Sequence, residues 1–181
     1  MKSENMRKHL RETFLELLEE CPVDKITTKM ILDEAGISRS TFYRLYEDKY
    51  SLMQDVRNTM LKDAIQVETS KSYEEFARTM LQFVKDHRKY YLNVFSVMTL
   101  TSTNAGFRGI TLSLFEAFRD RVVAHRGSAL STYENYLLEL WCAGSTWMLL
   151  QWALDGCRID LELVANYSHQ AAPDFVKAAF K

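Results

Sequence analysis

The stretch Ile26–Lys49, ITTKMILDEAGISRSTFYRLYEDK, leaves the chain few ways to fold. Ile26, Ile31 and Ala35 recur at helical spacing, and Thr27 or Thr28 supplies a hydroxyl N-cap ahead of them. Gly36 then offers the residue type that most readily leaves a helix in a left-handed conformation. Ile37 fills the corner, Ser38 is a second N-cap, and Arg39–Tyr46 reads as a helix of about two turns. A helix that short cannot form alone and must be held by its neighbours. Its outward residues are Arg39, Ser40, Thr41, Tyr43 and Arg44, a cationic and hydroxyl-rich face, while Phe42 and Leu45 read as its anchors. Helix, glycine turn and short exposed helix form an arrangement that lays a recognition helix in a DNA major groove.

Four pieces of this region carry a family likeness: Ile26-Thr27-Thr28, Ala35-Gly36-Ile37-Ser38, Thr41-Phe42-Tyr43 and Tyr46-x-x-Lys49-x-x-Leu52. Together they resemble the DNA-binding domain of the TetR/AcrR family of bacterial transcription regulators, over residues 5–57. The resemblance implies an all-α protein. A three-helix DNA-binding domain with a helix-turn-helix would occupy residues 1–57, and a larger helical domain for ligand binding and dimerisation residues 58–181. It also implies that Thr28, Thr41, Tyr43 and Lys49 hold the sugar-phosphate backbone, which suits hydroxyls, a phenol and an ammonium. For base edges the chemistry favours Arg39 and Arg44, whose forks match guanine O6 and N7. Lys29 suits a base or a phosphate, and Ser40 suits either.

Length and composition set no obstacle. The chain has 181 residues, room for a small module and a larger helical domain. Two prolines and six glycines argue against disorder and against a turn-rich sheet fold. Apolar residues make up 47%, yet no apolar run nears the ~20 residues of a membrane span. The charged start MKSENMRKHLRETF lacks the apolar centre of a signal peptide, so a cytoplasmic protein without a membrane partner is expected. Net charge is −1, and Met1–Arg57 carries ten Lys/Arg against eleven Asp/Glu. That is not a basic protein, but the charges are sorted. Lys29, Arg39, Arg44 and Lys49 fall on the expected DNA side, whereas Glu16, Glu19, Glu20, Asp33 and Glu34 can turn away. A local basic stripe doubled in a dimer suffices, with weak non-specific affinity.

Periodicity predicts helices throughout. Glu4–Glu20 places Leu10, Phe14, Leu17 and Leu18 on one stripe and ends before Pro22. Asp48–Gln66 starts in the DNA-binding half and continues into the regulatory half. Tyr73–Asp86 follows, and Arg88–Met98 reads as a buried apolar helix. Thr99–Gly106, rich in Thr, Ser, Asn and Gly, reads as a loop. Phe107–His125 repeats Ile110, Leu114, Phe118 and Val122 at helical spacing. Thr132–Asp155 stops at Gly156, and Asp160–His169 is the last helix before Pro173.

Thr132–Asp155 carries too much apolar surface for one stripe, so it is expected to pair with a second copy of the chain. The expected dimer residues are Tyr136, Leu140, Ala143, Gly144, Trp147, Met148 and Gln151, with Asp160–His169 as companion helix. Small residues at Ala143-Gly144-Ser145 would let a helix approach closely. The aromatic supply of the second half also suggests a pocket for a small apolar or aromatic effector, lined by Phe76, Met80, Tyr91, Phe95, Phe107, Phe115 and Trp141. Asn93, Thr99, Thr103, Asn104 and Arg108 are the polar groups available to orient it.

Other chemistries find little support. His9, His87, His125 and His169 are scattered, with no HxxxH or CxxC spacing, so neither a metal nor a cofactor is expected. No catalytic residues are assigned, because no GxSxG, phosphate loop or nucleophile–base pair is present. Cys21, Cys142 and Cys157 form no framework; on one helix the last two would lie about 22 Å apart. The reading is a homodimeric, operator-binding regulator, a repressor released by a ligand. Its alternatives are a helical protein regulating through protein–protein contacts, and a ligand-binding or catalytic helical domain with a vestigial helix-turn-helix.

Overall fold

The computed structural model describes residues 2–65, 69–95 and 103–180, and their regular structure is entirely helical. The helices are α1 (Lys2–Glu20), α2 (Thr28–Ala35), α3 (Arg39–Tyr43), α4 (Lys49–Ala64) and α5 (Tyr73–Asp86). They continue with α6 (Arg88–Phe95), α7 (Thr103–Arg126), α8 (Thr132–Leu154), α9 (Leu161–Ala171) and α10 (Asp174–Ala178). The chain divides into two units, Met1–Met60 with Lys89–Leu100, and Leu61–Arg88 with Thr101–Lys181. No described helix is long and apolar enough to cross a membrane.

In the first unit α1 packs on α2. Leu10, Phe14 and Leu18 of α1, Ile26, Ile31, Phe42, Leu52 and Val56 are all fully buried. Each such side chain contributes about 1.5–3 kcal/mol relative to exposure, which is how a five-residue α3 is held in place. α3 is shorter than the expected Arg39–Tyr46. After Tyr43 the backbone tightens, with Leu45 and Tyr46 both donating to the Phe42 carbonyl at 2.8 and 3.0 Å. That turn carries Tyr46 inward, where it is 5% exposed.

In the second unit α7 packs on α8, α5 on α9, and α10 on α7. Its centre is a ring cluster: Phe118 meets Phe76 and Trp141 at 5.0 Å each, and Tyr73 and Phe180 close around it. The Arg121 guanidinium lies 3.9 Å above the Phe180 ring and donates to the Ala179 and Ser70 carbonyls, fastening the C-terminal turn. α8 begins with a reciprocal capping box between Ser131 and Glu134.

Two expectations about segments change. Residues 103–106 are the first turn of α7, not part of a loop, while 99–102 lie outside the described residues. Short polar residues suit a helix start as well as a loop, and the long apolar stripe behind them carries the helix through Gly106. α8 ends at Leu154, so Cys157 is not on it; that residue adopts φ 54 in the connection to α9.

Candidate nucleic-acid interface and cavity

α2 is bounded as its sequence dictates. The Thr27 hydroxyl accepts from the Met30 N–H at 3.2 Å. Gly36 sits in the left-handed region at φ 62, and its N–H and that of Ile37 both reach the Leu32 carbonyl. Ser38 then caps α3, its hydroxyl accepting from the Thr41 N–H at 3.2 Å. The Ser40 and Thr41 hydroxyls lie 2.9 Å from the same Ser38 oxygen, forming a small hydroxyl cluster at the start of α3. Phe42 is fully buried, and the Tyr43 ring stands edge-on to it at 5.5 Å while remaining 51% exposed.

The expected contact residues therefore separate by environment. Lys29, Arg39, Ser40, Tyr43 and Arg44 are exposed, and Thr28 and Thr41 half-buried. Lys29, Arg39 and Arg44 make no ion pair or side-chain hydrogen bond among the described residues. Several other cations of this unit are engaged: Arg11 with Glu4 and Asp55, Lys8 with Glu12, Lys89 with Glu19. Lys49 departs from the expected phosphate role. Its ammonium donates to the carbonyls of Val23, Asp24 and Ile26 at 3.0, 3.3 and 2.6 Å, so its three protons are engaged within the chain. In this geometry it clamps the α1–α2 turn that delivers Thr27 and Thr28.

Three scaffold residues escaped the sequence reading. Asp55 of α4 accepts from the Tyr46 hydroxyl and from Arg11 at 3.0 Å, with Arg7 at 3.9 Å. The Arg7 guanidinium also lies 4.8 Å from the centre of the Tyr46 ring. Burial opposes the Asp55 charge, but donation from Tyr46 and Arg11 and the arginine charges outweigh it and hold its pKa below the usual value. Burial, then the bond to Asp55, pushes the Tyr46 phenol up to about 12. The i,i+4 pair Arg7 and Arg11 was the available signal. Asn93, expected near a ligand, instead donates to the Leu18 carbonyl at 2.6 Å, and its own carbonyl receives the Val23 N–H.

No protein-family model matches the chain. It is 32% identical over 98 residues to the uncharacterized HTH-type transcriptional regulator YxbF of Bacillus subtilis (strain 168). That match covers 49% of this chain and 26% of the relative, so the chain spans about a quarter of that protein's length. Among solved structures, a TetR transcriptional regulator from Streptococcus agalactiae 2603V aligns over 93% of this chain and 94% of its own, with TM-score 0.68 and 18% identity. The dihydroxyacetone kinase operon activator DhaS aligns over 91% and 92%, also with TM-score 0.68, at 14% identity. The fold is TetR-like. Helix-turn-helix and helical second unit together, rather than the first alone, carry that likeness.

The second unit of this TetR-like chain contains a cavity of about 640 Å³ between α8 and α9, floored by α5 and α7. Of the expected ligand residues, Phe76, Met80 and Trp141 line it. Tyr91 does not: it is buried in the first unit against Tyr90, ring centres 5.2 Å apart. Phe107 and Phe115 are half-buried on α7 but outside the lining, because Leu114 and Phe118 are the α7 residues that face it. Phe115 lies beneath the Arg119 guanidinium instead. The side chains of Phe95, Thr103 and Asn104, and Thr99 as a whole, fall outside the described residues; Arg108 is exposed and does not line the cavity. The walls the sequence reading missed come from α9, where Val164, Ser168 and Ala171 recur at helical spacing. The Tyr73 hydroxyl and Ser168 Oγ are 2.7 Å apart, which satisfies both in this apolar setting. Burial pushes the Cys142 thiol in the same wall up to about 12, so it stays protonated.

Proposed function

We propose that the chain is a transcription regulator that binds duplex DNA as a homodimer and is released by a small apolar effector. The supporting observation is α3: a Ser38-capped helix fixed by buried Phe42, with Arg39, Tyr43 and Arg44 exposed and the two arginines uncommitted. In the major groove, Arg39 and Arg44 read base edges and Lys29 a base or phosphate. Thr28, Ser40, Thr41 and Tyr43 hold the backbone, and Lys49 secures the turn that carries the first of them. Two heads about 34–36 Å apart would read a palindromic operator. The pairing surface is the α8 face that includes Tyr136, Leu140, Gly144, Trp147 and Met148, all exposed in the single chain, with half-buried Ala143 and Gln151 beside them. A cytoplasmic location follows from this reading.

Selection of bound fragments from random duplex DNA tests it. Recovery of an inverted repeat, lost on Arg39→Ala and weakened for all sequences alike by Tyr43→Ala, is the expected outcome. Equal retention of random DNA by wild type and both variants would remove the assignment. Repression is the direction proposed. The name of DhaS, an operon activator, favours activation as a second reading, and a promoter–reporter fusion separates the two.

A further inference from the structure

α8 has two apolar faces. Leu138, Cys142, Thr146, Leu150 and Ala153 are buried within their own unit. Tyr133, Tyr136, Leu140 and Trp147 form a second stripe on the helix, with exposures of 69, 63, 58 and 54%. That stripe runs about 21 Å, far longer than a ligand filling the cavity could cover. Gly144, Met148 and Gln151 belong to the dimer face and also line the cavity. The rim leaves large apolar side chains in solvent, with Met148 66% exposed, Tyr167 of α9 55% and Ile159 52%, beside the exposed, oppositely charged Asp155 and Arg158. A two-fold copy supplies the same stripe in return, so apolar surface meets apolar surface without an unpaired charge at its centre.

Resting on the homodimer reading above, we infer that the cavity is a composite site, open in one chain and walled on its α8–α9 side by the second copy. Its ligand is a neutral apolar or aromatic molecule, enclosed by both subunits. Because the partner forms a wall, ligand affinity and dimer affinity are linked: each strengthens the other by the same factor.

N-phenyl-1-naphthylamine, a neutral fluorophore that brightens in apolar sites, is the test ligand. Wild type is expected to bind it as a dimer, with affinity per chain rising at least tenfold as concentration passes through the dimer midpoint. Leu140→Glu lies outside the cavity lining at an exposed position, so it should leave a folded monomer, checked by circular dichroism, with at least tenfold weaker binding. Ala171→Trp, which fills the cavity from an exposed α9 position, should remove binding while sedimentation still shows a dimer. A Leu140→Glu monomer that binds as tightly as wild type would overturn the composite site, as would a wild-type dimer that never brightens the fluorophore or an Ala171→Trp dimer that still does. A wild type that sediments as a single chain would instead sink the homodimer reading itself.

Discussion

The outward faces of α3 and α8 are both incomplete, but with opposite chemistry. α3 presents two uncommitted guanidiniums, hydroxyls and a phenol over a buried Phe42. α8 presents aromatic and aliphatic side chains over a second, buried apolar face. A polar unpaired face is stable in water and waits for a charged, hydrogen-bonding surface such as a phosphate backbone. An apolar one is costly in water and is relieved by a like surface. The two faces therefore call for different partners, and substitutions should separate them.

The largest expected effect is at the α3 anchor. Phe42→Ala removes a fully buried ring and should destabilise the first unit by about 3–5 kcal/mol, measured by urea denaturation. It should also abolish DNA binding; a variant of unchanged stability would mean that α3 is not held by its core. Asp55→Ala comes next, leaving Tyr46 and Arg11 without their shared acceptor, at a cost of about 2–3 kcal/mol. Because the folded-state pKa of Asp55 is lowered, its contribution is present above about pH 4 and fades as pH falls through the folded value. The wild-type and Asp55→Asn stability curves should thus converge in acid, and parallel curves would contradict this.

Lys49→Met should cost about 1–2 kcal/mol, since the turn loses its ammonium clamp. The informative readout is the salt dependence of DNA affinity. A phosphate contact would reduce the slope by about 1, whereas a positioning residue lowers affinity at every salt concentration and leaves the slope alone. An altered slope returns Lys49 to the phosphate surface and blurs the contrast with the free arginines. Trp147→Ala should have the smallest effect on the chain itself, within about 0.5 kcal/mol for the monomer, because its ring is 54% exposed. On the pairing proposed above, the dimer dissociation constant should nonetheless rise at least tenfold in sedimentation. Loss of monomer stability would show that the outer stripe of α8 serves its own unit.

Which parts were legible depends on range along the chain. α5 has the predicted bounds, Tyr73–Asp86, because Ser72 caps one end and a single apolar stripe runs the length. The α2 turn and the α3 start were equally readable, since Thr27, Gly36 and Ser38 act on backbone groups three to five residues away. The end of α3 was not, because Tyr46 is drawn inward toward Asp55, nine residues on. Aromatic content pointed to a cavity in the helical half but could not choose its walls. Phe76 and Trp141 line it, while Tyr91 and Phe115, of the same chemistry and spacing, do not.

By itself, the sequence determined the helical character of the described residues and a capped, glycine-turned helix-turn-helix, because caps, turns and stripes are decided within a few residues of themselves. Only the tertiary structure decided that Lys49 faces the carbonyls of residues 23 to 26 positions earlier, and that Asp55 gathers Tyr46 and Arg11. It also decided that α8 and α9 stand apart over a cavity. Such placements depend on how separate helices pack, and equal hydrophobicity on two faces of a helix leaves that choice to the neighbours it meets.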